Sequence, residues 1–450
     1  MKSIKYSDSI PKLNKIKQVL LDLNYKNLEL WPSMAPSAYF FIHNKTMGTT
    51  LFQILRIFKF VFFKEKFNVI GDKKNKILVS FLIDRKDHHN LWKSCLSKFN
   101  KTDLIILDSF QNGRRDILSI LNRFSISFPN FFKIYGIHQH FKKHRLIVGS
   151  RLDHIYFITQ IYFQFKKIDY LSGIVDEYVP RSYVAYSSYR NNDETILTQL
   201  VNAINKSTFT FQNYIIPKFK RFDYETITYE NMISDYFLLW GKSSYDTLKK
   251  HLEKNKLIIC GNPLYEGIIK KPIKRFDPKV CTIFLSHPNF KKSNLNIIDI
   301  MDKFSREYPH IKFQFNAHPD NNESELAKLL DGKNLFYIFN NSCTKEELLR
   351  KSDFIIMYNS TILIEALAYA LPIFRYNGDD MKDMLVFSNN FVNFVELKDS
   401  FESLFDPITY SKVLRLHKKD YKNCFFQPSN DSVSEIYKKI IKNKTKGSHI

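Results

Sequence analysis

With 450 residues and 44% apolar side chains, the chain is long enough for two domains with separate cores and too apolar to be disordered. A formal charge of +23 means either attraction to an acidic partner or the drift of a composition rich in Lys, Asn, Ile, Phe and Tyr, and its even spread argues against a nucleic-acid binder. Five scattered cysteines without a Cys-x-x-Cys pair argue against a disulfide frame or a cysteine zinc site, and no apolar run approaches the roughly 18–20 residues of a bilayer span.

In chain order, the start MKSIKYSDSIPKLNKIKQVL lacks the compact apolar core of a signal peptide, so the expectation is a cytoplasmic protein, at most peripheral at the inner face of a membrane. The first half then offers candidate strands in SAYFFIH (37–43), KILVSFLI (76–83), DLIILDS (103–109), SYVAYSS (182–188), STFTFQN (207–213), DYFLLWG (235–241) and KLIICGN (256–262). Helical patterns between them are clearest in NDETILTQLVNAINK (192–206) and KSSYDTLKKHLE (242–253). The basic-aromatic stretch LFQILRIFKFVFFKEKF (51–67) reads either as a helix lying on an anionic membrane or as a core helix with snorkelling lysines, and the core helix is preferred. KKPIKRFDPK (270–279), polar and with two prolines, reads as a linker.

From residue 280 the alternation is regular. CTIFLSH, IKFQFNAH, NLFYIFN, DFIIMY and LPIFRY are strands; NLNIIDIMDKFSREY, ESELAKLLDG, TKEELLRKS and STILIEALAYA are the helices between them. This is a parallel sheet in βαβ units with helices on both faces, where ligands sit beyond the carboxyl ends of the strands. The tail from Ser432 reads as a basic helix that frays. The expected fold class is α/β, with two Rossmann-like domains facing a cleft: residues 1–269, linker 270–279, residues 280–420 and a basic helical tail 421–450.

Chemistry gathers at the strand ends. In SDFIIMYNSTILIEALAYALPIF (352–374), Asn359 or Ser360 can cap a helix whose first backbone N–H groups stay open to an anion, and Ser360 and Thr361 add hydroxyl donors. Glu365, one turn on, is placed to accept from a ribose diol; the alternative is a plain cap with a solvated edge carboxylate. His318 follows a strand directly, and Pro319 fixes its turn, so the imidazole is held at the rim of the sheet. Ser286 and His287 repeat that pattern one unit earlier, and Gly261 with Asn262 sits just before the linker.

The order Gly-Asn-Pro (261–263), His-Pro (318–319), Ser-Thr-x-x-x-Glu-Ala (360–366) and Leu-Pro (371–372), each at a strand end, resembles the GT-B-fold glycosyltransferases of bacterial capsule and lipopolysaccharide synthesis. The group includes Kdo and sialic acid transferases and the teichoic-acid glycerophosphotransferases. The resemblance implies a transferase that moves a sugar or related group from a nucleotide-sugar donor to a glycan or lipid-linked glycan acceptor, without a cofactor. By the same resemblance His318 and the Ser360–Thr361 turn hold the donor phosphates and Glu365 the ribose. Departures are plain: Gln212-Asn213-Tyr214 stands where relatives read Gln-His-Gly, Ala370 precedes Leu371-Pro372 where a Gly is expected, and the acidic pair followed by Gly is missing. The base is therefore sought among first-domain residues at strand ends: Glu194 first, at a helix start above a strand, then His43, Asp193 and Asp108. An acid at a helix start that only complements the dipole is the competing reading of Glu194. No Asp-x-Asp occurs, so no metal is expected. Two alternatives stay open, a nucleotide-sugar 2-epimerase, for which a Ser-Gly-Gly phosphate turn would be expected, and a catalytically inactive relative that binds glycan or partner enzymes.

Overall fold

In the computed structural model the described residues are 6–43, 50–65, 67, 69–71, 75–82, 86–108, 124–189, 191–214, 216, 224–267, 275–340, 342–360, 362–378 and 387–445. The first half carries β1 (Phe63–Glu65), β2 (Val69–Ile70), β3 (Ile77–Phe81), β4 (Leu104–Asp108), β5 (Phe124–Ile126), β6 (Ser182–Ala185), β7 (Ser207–Phe211), β8 (Tyr236–Leu239) and β9 (Leu257–Ile259). Seven of them form one sheet in the order β2-β4-β3-β6-β7-β8-β9, parallel except for the β2–β4 edge pair. β1 and β5 make a separate antiparallel ribbon.

The central strands β3, β6 and β7 are buried along their whole length, as strands covered on both faces must be. Alternate side chains feed two cores. Leu78, Tyr183 and Ala185 join helices Tyr6–Asp22, Trp31–His43, Arg151–Tyr178 and Asn192–Ala203 on one face. Ile77, Val79, Phe81 and Val184 meet helix Lys86–Leu96 on the other.

Here the structure corrects an expectation: SAYFFIH is not a strand but the end of helix Trp31–His43. Trp31, Pro32, Ser33, Met34, Ala35, Pro36, Ala38, Tyr39 and Phe41 are all buried, so the helix is enclosed nearly all round instead of on one face. The 28-residue helix Arg151–Tyr178, also absent from the sequence reading, starts at a capping box of Ser150 and Asp153.

The second half carries β10 (Val280–Leu285), β11 (Lys312–Ala317), β12 (Phe336–Tyr337), β13 (Phe354–Met357), β14 (Ile373–Tyr376) and β15 (Asn389–Phe391). All are parallel, in the order β12-β11-β10-β13-β14-β15. The five strands expected from sequence are all present, and β15 is an addition. Residues 270–274 of the expected linker lie outside the described residues. At its end the Asp353 carboxylate accepts from the Lys279 and Val280 backbone N–H groups and fixes where the second sheet begins.

The carboxy-terminal helices join the halves. Helix Pro407–Cys424 packs on Ile362–Ala368 of the second half and on Lys242–Leu248 of the first. Within the described residues, which end at 445, the tail is an ordered, docked helix. Helix Val433–Lys444 buries Val433, Tyr437 and Ile441, an i, i+4, i+8 stripe, in the core of the first half. Its Tyr437 hydroxyl donates to Gly261 O at 2.9 Å and its Ser434 hydroxyl to Ser94 O at 2.7 Å.

The preference for a core helix at 51–67 is half met. Helix Thr50–Phe62 packs on Arg151–Tyr178 through Gln53, Ile57, Phe60 and Val61, but Leu51, Phe52, Ile54, Leu55 and Phe58 stand exposed.

Candidate functional site at the carboxyl edges of the two sheets

β11, β10 and β13 are neighbours, so the loops that leave them form one rim. His318 follows β11, His287 follows β10 and the Tyr358–Ser360 turn follows β13, bringing these predicted residues to one edge. At ordinary strand spacing the outer two loops stand about 10 Å apart.

The middle loop is held rigidly. Asn294 grips the Ser286 backbone from both sides, accepting from its N–H and donating to its carbonyl, each at 2.9 Å. Asn321 donates to the same carbonyl at 2.9 Å and to His318 O at 3.2 Å, tying the β10 loop to the β11 loop. The Ser286 hydroxyl is buried and has no partner among the described residues. Phe290 stacks edge-on against Tyr358 at 5.5 Å, and Asn296 donates to the Tyr376 hydroxyl, so the β10, β13 and β14 loops are also joined.

The two imidazoles lie 5.1 Å apart, ring to ring. His318 Nδ1 accepts from the Asp320 N–H at 3.3 Å, which in the neutral ring leaves the proton on Nε2 as a donor. Asp320 Oδ2 lies 3.3 Å from His287 Nε2 and 3.5 Å from His318 Nδ1, and the three ligand atoms fall within 4.8 Å of one another. Such a trio could accept a divalent cation, or turn ring N–H donors toward a bound phosphate. Pro319 sits exposed at the turn.

Beneath the β13 turn lies a residue the sequence reading missed. Arg375, in β14, is only 3% exposed, and its guanidinium donates to Asn359 Oδ1 at 3.1 Å and Tyr358 O at 3.4 Å. A buried guanidinium supports the turn and polarises it toward an anion. Its signal was present: an arginine inside the apolar run LPIFRY is rarely accidental. Ser360 accepts from the Ile362 N–H, as expected of a cap. The helix it starts, Ile362–Ala368, has only seven residues, so side chains and the guanidinium contribute more positive potential than the helix dipole. Thr361 lies outside the described residues.

Glu365 is half-buried and engaged. Lys345 Nζ lies 3.2 Å from it, and it hydrogen-bonds Tyr265, a residue of the first half. Burial first, then the Glu365 charge, drives the Tyr265 hydroxyl well above its ordinary pKa. Tyr265 follows β9 and Glu365 follows β13, so residues beyond the carboxyl ends of the two sheets touch each other.

In the first half the placements differ from expectation. Glu194 does open a helix above a strand end, yet it is fully enclosed. Its carboxylate accepts from the Ser80 hydroxyl at 2.9 Å and from the Leu82 and Ser187 N–H groups. Burial raises its pKa to about 7 against the opposing effect of those hydrogen bonds. Enclosed in this way it stitches β3 to β6 and does not face an incoming hydroxyl. Asp193 pairs with Lys167 at 2.6 Å. Asp108, at the end of β4, holds His89 Nε2 at 2.9 Å, and that imidazole stacks on Trp92. The pair, with side chains 13% and 8% exposed, is a carboxylate–imidazole dyad at the sheet's carboxyl edge. His43 ends a helix rather than a strand, and its side chain is outside the described residues.

Gly261 and Asn262 are not part of the second rim. Gly261 has φ +99°, and a Cβ there would stand 2.7 Å from Phe426 O and 2.8 Å from Val433 Cγ2, so glycine is required by the crossing of 425–433. Asn262, fully buried, caps the Pro263–Tyr265 turn. Gln212 and Asn213 are likewise absorbed in packing: Gln212 Oε1 accepts from the Trp240 N–H, and Asn213 accepts from the Tyr189 hydroxyl.

No family model and no curated protein sequence matches the chain. Solved structures do. UDP-GlcNAc 2-epimerase from Methanocaldococcus jannaschii, in complex with UDP-GlcNAc and UDP, aligns at TM-score 0.50 and 13% identity over 82% of this chain and 99% of its own. The S. aureus MnaA–UDP structure aligns at TM-score 0.50 and 11% identity over 82% of this chain and 95% of that one. The GtfA/B complex aligns at TM-score 0.40 and 11% identity over 62% of this chain and 60% of its own, too weak a likeness to bear on the argument. The chain thus has the α/β fold of two Rossmann-type domains that the UDP-GlcNAc 2-epimerases also have.

Proposed function

We propose that the protein is an enzyme that binds a nucleotide sugar by its phosphates at the β11–β10–β13 rim and acts on the anomeric carbon–oxygen bond. The observation that supports this most is the convergence of His287, His318 and the Asn359–Ser360 turn, above the buried Arg375, on one edge of a parallel sheet. As the sugar departs, charge builds on the leaving phosphate, and donors already fixed in place stabilise it without reorganising. Glu365, beside Lys345 and hydrogen-bonded to Tyr265 of the first half, suits the ribose or the sugar hydroxyls.

Two fates for the sugar follow. In the transferase reading a first-half group takes the proton of an acceptor hydroxyl on a surface glycan or lipid-linked glycan. The Asp108–His89 dyad has the form of such a base, a carboxylate orienting an imidazole. His43 is the competing candidate, since Glu194 is enclosed between β3 and β6 and does not face an acceptor hydroxyl. In the 2-epimerase reading the sugar returns to the same nucleotide inverted at C2. The likeness to UDP-GlcNAc 2-epimerases supports it, whereas the Tyr358-Asn359-Ser360 turn, without a Ser-Gly-Gly run, supports transfer.

A thermal-shift screen with UDP, CDP, CMP, GDP and their sugars tests the shared step. One nucleotide should raise the midpoint by mass action, and His318→Ala or Ser360→Ala should abolish the shift. A flat response to all of them overturns the reading and leaves an inactive binding relative. With UDP-GlcNAc as probe, proton NMR then distinguishes the fates: a new 2-epimer without net UDP supports epimerisation, and UDP release that depends on added glycan supports transfer. Of His89→Ala and His43→Ala, the base variant stops turnover while leaving the nucleotide shift intact.

A further inference from the structure

We infer that helix Thr50–Phe62 and the aromatic segment 126–135 together form a face that seats on an anionic lipid bilayer. Large apolar side chains there are open to solvent far beyond what a monomer needs: Leu51 is 66% exposed, Leu55 59%, Phe58 53%, Phe128 96%, Phe131 64% and Phe132 90%. They are not the leftover of an unpacked helix. The opposite side of Thr50–Phe62 is satisfied by Arg151–Tyr178, with Gln53 bonded to Asp153 and Arg56 to Tyr156. The opposite side of helix Phe131–Lys143 is satisfied as well, with Ile137 and Phe141 buried and the Asn130 N–H bonded to the Tyr162 hydroxyl.

The two segments are continuous in space. The Ser127 N–H donates to Phe62 O at 2.8 Å, and β1 pairs with β5 directly behind. Lys166 clamps the junction, donating to Val61 O, Phe63 O and Ser127 Oγ. Helices Thr50–Phe62 and Phe131–Lys143 therefore both pack on Arg151–Tyr178, and the segments that carry them are joined at Phe62 and Ser127.

Charge selects the occupant. Residues 50–62 and 124–145 contain no Asp or Glu and carry Arg56, Lys59, Lys142, Lys143 and Arg145, whereas Lys133 is engaged by Tyr25 and Asp169. A second copy would bring those like charges together, and the exposed aliphatic Leu51, Ile54 and Leu55 offer a nucleic acid nothing to stack on. A bilayer with anionic headgroups accepts both parts, rings and leucines below the headgroups and cations among them. The helix is about 20 Å long, suited to lying in the interface. Among the described residues no helix is long and apolar enough to cross a membrane.

This inference goes beyond the nucleotide-sugar reading and is read without any substrate. Full-length protein is floated with vesicles of phosphatidylcholine, or of phosphatidylcholine with about one third phosphatidylglycerol. The expected result is binding to the anionic vesicles at least about tenfold above neutral ones, weakened by salt. The variant Leu55→Ser/Phe58→Ser/Phe128→Ser/Phe132→Ser should lose that binding while keeping its nucleotide shift and thermal midpoint. Should it fail to fold, the exposed pair Lys142→Glu/Lys143→Glu must still reduce the anionic preference. Absence of binding to either vesicle, undiminished binding in a folded variant, or a dimer that the same substitutions dissolve would overturn the inference.

Discussion

Glu194→Gln gives the sharpest test of how the first sheet is built. In the native state burial keeps the Glu194 proton until pH about 7, whereas the ordinary value is 4.5. Between those limits the folded chain binds the proton and the unfolded chain does not, so stability falls as pH rises and levels off above about 7. A gap of about 2.5 pH units at roughly 1.4 kcal/mol each makes the loss about 3 kcal/mol. Glutamine stays neutral at every pH, and all other titrating groups are shared by the two proteins. The stability of wild type minus variant should therefore drop by about 3 kcal/mol between pH 4.5 and about 8. In thermal scans that is a relative midpoint shift of roughly 5 °C for a domain of this size. At every pH the glutamine amide nitrogen must face the Leu82 or Ser187 N–H, where a carboxyl oxygen accepts. The variant therefore carries an added, pH-independent penalty of about 1–3 kcal/mol, and the test reads only the change with pH. A constant difference across the range would refute the argument. A wild type that gains on the variant as pH rises would mean an ionised carboxylate secured by Ser80, Leu82 and Ser187.

Two further outcomes follow. Arg375→Lys keeps the charge but loses the fork that reaches both Asn359 and Tyr358, so the affinity for the stabilising nucleotide should fall at least about tenfold, read from the concentration dependence of the midpoint; unchanged affinity would remove Arg375 from the site. Gly261→Ala should destabilise by about 2–4 kcal/mol, since its Cβ would overlap Phe426 O and Val433 at a positive φ, while the nucleotide affinity of the folded fraction stays the same, as calorimetric titration would show.

The second half was legible because its signals are local. Each strand is a short apolar run ended by polar residues, and several helices bring their own cap, as with Thr344 and Glu347 at Lys345–Lys351. His287 and His318 could be found because a strand end needs only adjacent residues to define it. The first half hides its organisation in tertiary contacts. AYFFI has no polar residue to reveal its period, and helix Trp31–His43 is enclosed nearly all round, so no polar face marks it in the sequence. Glu194 was placed correctly on its helix, but its enclosure depends on Ser80 and Leu82, 114 and 112 residues away. Arg375 and His89 were missed for the same reason: each takes its role from a partner in another strand or loop.

The return of residues 433–441 to the first sheet has a kinetic consequence. Tyr437 and Ile441 fill space beside Phe211 and Cys95 that nothing earlier in the chain occupies. During synthesis the leading half must therefore wait, with a gap in its interior, until the trailing half has emerged. Holdase chaperones would find their longest window of access there, and the slowest refolding phase should be the one that seats this helix.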